Sequence, residues 1–157
     1  SPLRTQYDKV LVTFYTFNYI LEQPERFLQH VAMSMAPGGV LIMDLFHPYT
    51  LRRPEDDDVW REKAWHFQHR VIHLKDKRTV RDNIEERIQV YQEGDEEMDI
   101  TTRRKYYTPE EVTHYLQKTG FQNIELCPEY DAEHFQSELK SGQFRHNFMV
   151  KAVKSAM

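Results

Sequence analysis

Val10-Leu11-Val12 breaks into Thr13-Phe14-Tyr15-Thr16-Phe17-Asn18-Tyr19, and Val40-Leu41-Ile42-Met43 runs into Asp44-Leu45-Phe46-His47-Pro48. The reading of these two stretches decides the fold. Each is a short apolar run that ends in polar residues, the pattern of a parallel strand buried on both faces. Between them Pro24 suits the first position of a helix, and Phe27, Leu28, Val31 and Met35 recur on one face until Pro37-Gly38-Gly39 stops it. A strand, a crossover helix and a second parallel strand form one right-handed unit, and open sheets of such units bind ligands beyond the carboxyl ends of their strands. Function is therefore expected at the two polar strand ends.

Beyond His47 the pattern changes. Pro48 to Asp58, with Arg52-Arg53-Pro54 and Asp56-Asp57-Asp58, reads as an exposed loop. From Trp60 to Tyr107 apolar and polar residues alternate: Trp65, Phe67, His69, Val71 and His73, then Ile84, Glu86, Ile88 and Val90, then Ile100, Thr102 and Arg104. With Asp76-Lys77 and Glu93-Gly94-Asp95 as breaks, this predicts an inserted antiparallel meander of about three strands. Thr108-Pro109-Glu110-Glu111 is a capping box with proline at the first helical position. Val112, Tyr115 and Leu116 give that helix its inner face and Gly120 ends it. Phe121 to Cys127 reads as a strand. Pro128 to Gly142 is a connection carrying Tyr130, Asp131, His134 and Phe135, with room for a helical turn. Asn147 to Val153 is the last strand, with Phe148, Val150 and Ala152 alternating against Met149 and Lys151. The expected division is residues 1–58 as strand-helix-strand, 59–107 as the meander, and 108–157 as a helix and two strands that complete the first sheet.

Composition narrows the function classes. A chain of 157 residues, 39% apolar and 29% charged, is long enough for a soluble globular domain with a real core. Its net charge of −4 argues against nucleic acid as a partner, since such binders carry a clustered basic face. The densest basic run, Arg103-Arg104-Lys105, follows Glu93, Asp95, Glu96, Glu97 and Asp99 and reads as a solvated hairpin surface. No apolar stretch approaches the roughly 18 residues that span a bilayer, so no membrane partner is expected. Cys127 is the sole cysteine; it excludes an intrachain disulfide, fits a reducing cytoplasmic setting, and reads as a small core residue. No metal is expected: His66, His69 and His73 lack a fourth ligand, and the acidic triplet lacks the spacing of a calcium loop. With only Gly38, Gly39, Gly94, Gly120 and Gly142, the chain has no P-loop, dinucleotide fingerprint or glycine-rich turn.

Tyr7-Asp8-Lys9-Val10-Leu11-Val12, Asn18-Tyr19-Ile20-Leu21, Phe27-Leu28-Gln29-His30-Val31 and Ala36-Pro37-Gly38-Gly39-Val40-Leu41-Ile42-Met43-Asp44 together resemble class I S-adenosylmethionine-dependent methyltransferases. In that family the segment is the fourth strand, its helix and the fifth strand, ending in a PGG-hhhhD pattern. Tyr107-Thr108-Pro109-Glu110-Glu111 with Gly120-Phe121 resembles the element before the family's last two strands, and the meander is similar to the β-lid of members that methylate small molecules. The family's first strand with its acidic-x-Gly-x-Gly turn, and its second strand with the ribose-holding carboxylate, would lie ahead of Tyr7 and are absent from this sequence. The resemblance thus implies the carboxyl-terminal part of such an enzyme: a partial Rossmann-like α/β sheet of parallel strands with helices and an antiparallel last strand, plus the inserted meander.

It also implies roles. Thr13, Phe14 and Tyr15 match positions near the methionine part of the S-adenosylmethionine cofactor, and Asn18 lies near enough to help orient it. Asp44 and Phe46 would face a small-molecule acceptor with a reactive nitrogen or oxygen, with Trp60 and Tyr107 as aromatic walls and His47 as the group that removes a proton. For Phe14 and Phe17 the alternative is that they simply cover the helix. An open sheet edge at Val10 to Phe14 leads us to expect a homodimer. Two other readings remain: a non-catalytic binding or assembly module, and a dinucleotide-dependent oxidoreductase, which the PGG turn and the late capping-box helix disfavour.

Overall fold

The computed structural model describes residues 6–47, 57–131, 133–140 and 143–156. The expected loop from Pro48 through Asp56 and the residue Gly142 lie outside them. The chain divides into two compact units, one made of Ser1–Leu51 and Tyr106–Met157, the other of Arg52–Lys105.

The first unit is a sheet with two helices. In chain order it contains β1 (Tyr7–Val12), a 3-10 turn (Thr16–Tyr19), α1 (Pro24–Ser34), β2 (Met35–Phe46), α2 (Pro109–Lys118), β7 (Phe121–Pro128) and β8 (Asn147–Lys154); β3 to β6 belong to the second unit. The sheet order is β1-β2-β8-β7. β1 is parallel to β2, and β8 is antiparallel to both β2 and β7. β1, β2 and β7 therefore run the same way, and their carboxyl ends lie along one edge beside the start of β8.

Proline opens both helices, as the sequence predicts. At α2 the capping box is complete: the Glu111 backbone N–H donates to the Thr108 hydroxyl at 3.2 Å, and the Thr108 N–H donates to the Glu111 carboxylate at 2.8 Å. Val112 and Leu116 of α2, Leu28 and Ala32 of α1, and Phe148, Val150 and Ala152 of β8 enter one core with Phe17, Leu41, Met43, Leu45, Tyr107 and Leu126.

Three details differ from expectation. Pro37-Gly38-Gly39 does not stop the helix; α1 ends at Ser34, and β2 already begins at the extended, fully buried Met35. Gly39 has a different task. A Cβ there would stand 2.9 Å from the Ala36 carbonyl oxygen and 3.1 Å from that of Tyr7, so β1 and β2 approach this closely only because the position carries no side chain. β1 is not buried on both faces: Val12 is buried, but Leu11, on the opposite face, is 66% exposed. After β7 no helix is present among the described residues, only isolated turns such as the one in which the His134 N–H donates to the Asp131 carbonyl. The chain doubles back instead, and Leu126 and Gln136 exchange backbone hydrogen bonds of 2.7 and 2.8 Å.

Among the described residues the second unit is an antiparallel meander of four strands where about three were expected: β3 (Arg61–Phe67), β4 (Arg70–Arg81), β5 (Ile84–Glu93) and β6 (Glu96–Lys105), in that order. The expected first strand is two, folded at Gln68-His69, so His69 and His73 do not share a strand. Asp76-Lys77 is no turn. It lies inside β4, where the Asp76 carboxylate accepts hydrogen bonds from Nε and Nη2 of Arg87 on β5 at 2.6 and 3.0 Å. The turn comes at Asp82-Asn83, both left-handed with φ of 50° and 60°, as a two-residue hairpin loop of twisted strands requires. Among its described residues only Leu74, Val80 and Glu85 are buried.

Candidate functional site

The carboxyl ends of β1, β2 and β7 meet at one carboxylate. Leaving β1, Phe14 and Tyr15 both take left-handed backbone, with φ of 57° and 56°. For non-glycine residues this conformation costs about 1–2 kcal/mol each, so neighbouring contacts must hold it. Two contacts do. The Thr16 hydroxyl donates to the Thr13 carbonyl at 2.6 Å, and the Tyr15 backbone N–H donates to Oδ1 of Asp44 at 3.1 Å. The other carboxylate oxygen, Oδ2, accepts the Tyr130 hydroxyl at 3.0 Å from just beyond β7. That hydroxyl also lies 3.3 Å from the Tyr15 hydroxyl.

Asp44 is 6% exposed, and a carboxylate so placed needs partners to offset its lost hydration. Tyr15 and Tyr130 are those partners. Tyr130 as a whole is 57% exposed, but partial desolvation of its hydroxyl beside Asp44, with its bonds to Tyr15 and Asp44, raises the phenol above its ordinary range. The phenol therefore keeps its proton at neutral pH and remains a donor.

Asn18 splices the 3-10 turn to the end of β2. It is fully buried; its Nδ2 donates to the Phe46 carbonyl at 2.8 Å, and the Phe46 N–H donates to its Oδ1 at 2.8 Å. Phe46 thereby has a fixed backbone, and its ring stands 5.5 Å from that of Tyr15 and 5.9 Å from that of Tyr106. His47 follows, 8% exposed, with its backbone N–H donating to the His146 carbonyl at 2.6 Å and its ring between Tyr106 and Phe144. Burial lowers the His47 pKa, and Glu111 and Glu110 only partly oppose this, so the imidazole is neutral at pH 7 and able to accept a proton.

Against this geometry come the comparisons. No family model and no curated protein matches the sequence. Solved structures do match. One is an S-adenosylmethionine-dependent methyltransferase from Clostridium acetobutylicum, 16% identical, with a TM-score of 0.74 over 98% of this chain and 61% of that one. Another is an amino pentose methyltransferase from Micromonospora echinaspora, solved with its cofactor bound, 16% identical, with a TM-score of 0.67 over 98% and 60%. A sugar N-methyltransferase from Streptoalloteichus is 16% identical, with a TM-score of 0.66 over 98% and 58%. The chain has the class I methyltransferase fold. It spans about three fifths of the length of these relatives, 58–61%.

Within the methyltransferase fold the expected residues part company. Tyr15, Asp44 and Phe46 come together, and Thr13 and Phe14 stand beside them with Phe14 87% exposed, not covering the helix. Phe17 does cover it, packed on Phe27 and Tyr107. Asn18, expected to orient a cofactor directly, spends its amide on Phe46 and is enclosed. Tyr107, expected as a wall of the acceptor site, is fully buried in the first unit; its hydroxyl donates to the Ile20 carbonyl and its ring packs 4.8 Å from Phe17. It is a core residue. Trp60 belongs to the second unit, half-exposed, with the Lys77 ammonium 5.4 Å from its ring centre.

Sequence reasoning passed over Tyr130 as part of the site. The available signal was its position two residues past the end of β7, at the sheet edge where the other polar strand ends lie. Among the described residues no three His, Cys, Asp or Glu side chains are placed to hold a metal ion, and no helix is long and apolar enough to cross a membrane.

Proposed function

We propose that the site around Asp44 serves an S-adenosylmethionine-dependent methyltransferase whose acceptor is a small molecule with a reactive nitrogen or oxygen. The observation that carries this reading is the convergence of the Tyr15 N–H and the Tyr130 hydroxyl on Asp44, at the carboxyl ends of three like-directed strands in this fold. When bound, S-adenosylmethionine supplies its sulfonium methyl group as the electrophile. The side chains suit such a ligand: a carboxylate beside the rings of Tyr15, Phe46 and Tyr130 presents negative charge and aromatic surface to a cation. Thr13, Phe14 and Tyr15 would hold the methionine part from the end of β1. Asp44 and Phe46 would orient the acceptor, an in-line displacement needing positioning more than covalent help. His47, neutral at physiological pH, would take the acceptor's proton.

The test is transfer of an isotopically labelled methyl group from S-adenosylmethionine to a panel of amines and hydroxylated small molecules. Asp44→Asn removes the charge while keeping the shape, and is expected to lower transfer at least about tenfold, the value of one charge-assisted hydrogen bond. Equal transfer by the Asn variant would remove Asp44 from the mechanism. A folded chain that binds an acceptor-like ligand but transfers no methyl group would favour the binding or assembly module instead.

A further inference from the structure

One residue ties together the two segments that reach Asp44 and His47 from outside β2. Glu129 follows the last rung of β7 and is itself left-handed, with φ of 53°. A residue with a Cβ is strained there, and such strain persists only where the surrounding contacts over-determine it. Glu129 has such contacts on its backbone and on its side chain. Its N–H donates to the Asn147 carbonyl at 2.9 Å, and its carboxylate oxygen Oε1 accepts the Arg145 N–H at 2.7 Å and the His146 N–H at 3.3 Å. Two successive backbone donors on one anionic oxygen make charge-assisted bonds, stronger than those to a neutral acceptor.

Each end of this clamp runs to the site. On one side the Asp131 N–H donates to the Pro128 carbonyl at 3.2 Å, closing a turn with Glu129 and Tyr130 at its centre. The backbone of Glu129 sets the direction in which the chain leaves β7, and the next residue, Tyr130, places its hydroxyl 3.0 Å from Oδ2 of Asp44. On the other side the His146 carbonyl accepts the His47 N–H at 2.6 Å, and the ring of Phe144, one residue before Arg145, stands 6.0 Å from the imidazole. We propose that Glu129 is a positioning residue for the methyl transfer assigned to this site: its one carboxylate holds the Tyr130 hydroxyl and the His47 imidazole at a fixed spacing about Asp44. This role rests on that reading of the site, and Glu129 acts through the two groups rather than on a ligand.

The strands alone do not fix that spacing. Asp44 and His47 lie at the end of β2, but Tyr130 comes from beyond β7 and Phe144 from the connection that enters β8. The ladder between β7 and β8 ends where Pro128 meets Phe148. The bond from the Glu129 N–H to Asn147 extends it by one step, and the carboxylate carries the connection two residues further, to Arg145. The nearby carboxylate of Asp131 does not share the task, since it turns to Nδ1 of His134 at 2.7 Å.

The test separates the clamp from the turn. Glu129→Gly keeps a left-handed backbone, which glycine adopts freely, and removes the carboxylate; Glu129→Gln keeps the reach and a neutral acceptor oxygen. In the full chain, amide hydrogen exchange at Arg145, His146 and His47 is expected to quicken at least about tenfold in the Gly variant and to regain most of its protection in the Gln variant. In labelled methyl transfer the Gly variant is expected to lose at least about tenfold in kcat, with KM for S-adenosylmethionine and the denaturant midpoint little changed, and the Gln variant to regain most of the rate. Unchanged exchange in the Gly variant, or a Gln variant no better than Gly, would overturn the clamp. Faster exchange with unchanged kcat would overturn its role in transfer. A wild type that transfers no methyl group to any acceptor would bring down the reading of the site and the role of Glu129 with it, a failure the exchange data distinguish from loss of the clamp.

Discussion

The two units hold together by different means. The first packs the two helices on its sheet through fully buried side chains such as Phe17, Leu28, Leu41, Leu116 and Phe148. The second buries only Leu74, Val80 and Glu85 among its described residues, and spans its ladder with ion pairs: Arg87 to Asp76, Arg104 to Glu85, Arg70 to Glu93 and Arg103 to Glu86. A core element loses stability when a methylene is removed, whereas a half-exposed ladder should feel the loss of one side chain much less. The contrast also fits the place proposed for the chemistry. A rigid, packed sheet can hold two left-handed residues and a buried carboxylate in register; a solvated meander has fewer contacts with which to do so.

The sharpest way to break this comparison is truncation of one aromatic side chain in each unit. Phe17→Ala is expected to cost about 3–5 kcal/mol, the range for a fully buried aromatic. Trp65→Ala, at a ring 39% exposed and stacked on Tyr91, is expected to cost less than about 1 kcal/mol. Denaturant titration of both variants checks the pair; similar losses would mean that the meander is a second true core.

Next in size is Asn18→Ala. It leaves the partly buried N–H and C=O of Phe46 without their side-chain partners, an expected loss of about 1–3 kcal/mol with the end of β2 loosened. Hydrogen exchange at the Phe46 amide should rise selectively. Unchanged protection there would show that Asn18 does not position the strand end.

Much of the first unit was legible because its signals are local. Pro24, the Phe27-Leu28-Val31-Met35 stripe and the capping box at Thr108 each act within a few residues; the proline and the capping box are found as read, while the stripe keeps Phe27, Leu28 and Val31 on α1 and loses Met35 to β2. Asp44 was legible too, as a carboxylate interrupting an apolar strand. Its partner Tyr130 was not, because the two are 86 residues apart and meet only through the order of strands in the sheet. Asn18 misled for a related reason: a polar residue at a strand end looks the same in sequence whether it faces a ligand or a backbone. The meander was miscounted because Gln68-His69 contains no glycine or proline, while the charged Asp76-Lys77, so turn-like in sequence, is a ladder rung satisfied by Arg87.

Glu85 tests the second half of the comparison. Removing this buried carboxylate by Glu85→Ala leaves Arg104 and Arg78 facing each other's charge without it, and is expected to cost about 2 kcal/mol, less than for a fully enclosed pair because both arginines reach solvent. Measuring the same variant in high salt sharpens the point, since screening should shrink the penalty. No change in stability would mean that the ion pairs are passengers on the backbone ladder.

The smallest effect belongs to His47. Its folded pKa lies below the ordinary value of 6.5, so in the window between the two the unfolded chain binds more protons than the folded one. Its contribution to stability is therefore complete above about pH 6.5 and is lost as pH falls through the folded value. Comparing denaturant midpoints across pH 5–8 for the wild type and His47→Gln should show a shallower acid slope in the variant. Parallel slopes would mean that His47 titrates alike in both states.

The central claim, that the strand ends around Asp44 form a cofactor half-site, is tested most directly by calorimetric titration of S-adenosylmethionine, which carries the sulfonium charge, into the purified, folded chain and into Asp44→Asn. The account predicts saturable heat from the wild type and weaker binding by the variant. No heat at millimolar ligand from a chain shown to be folded would contradict it.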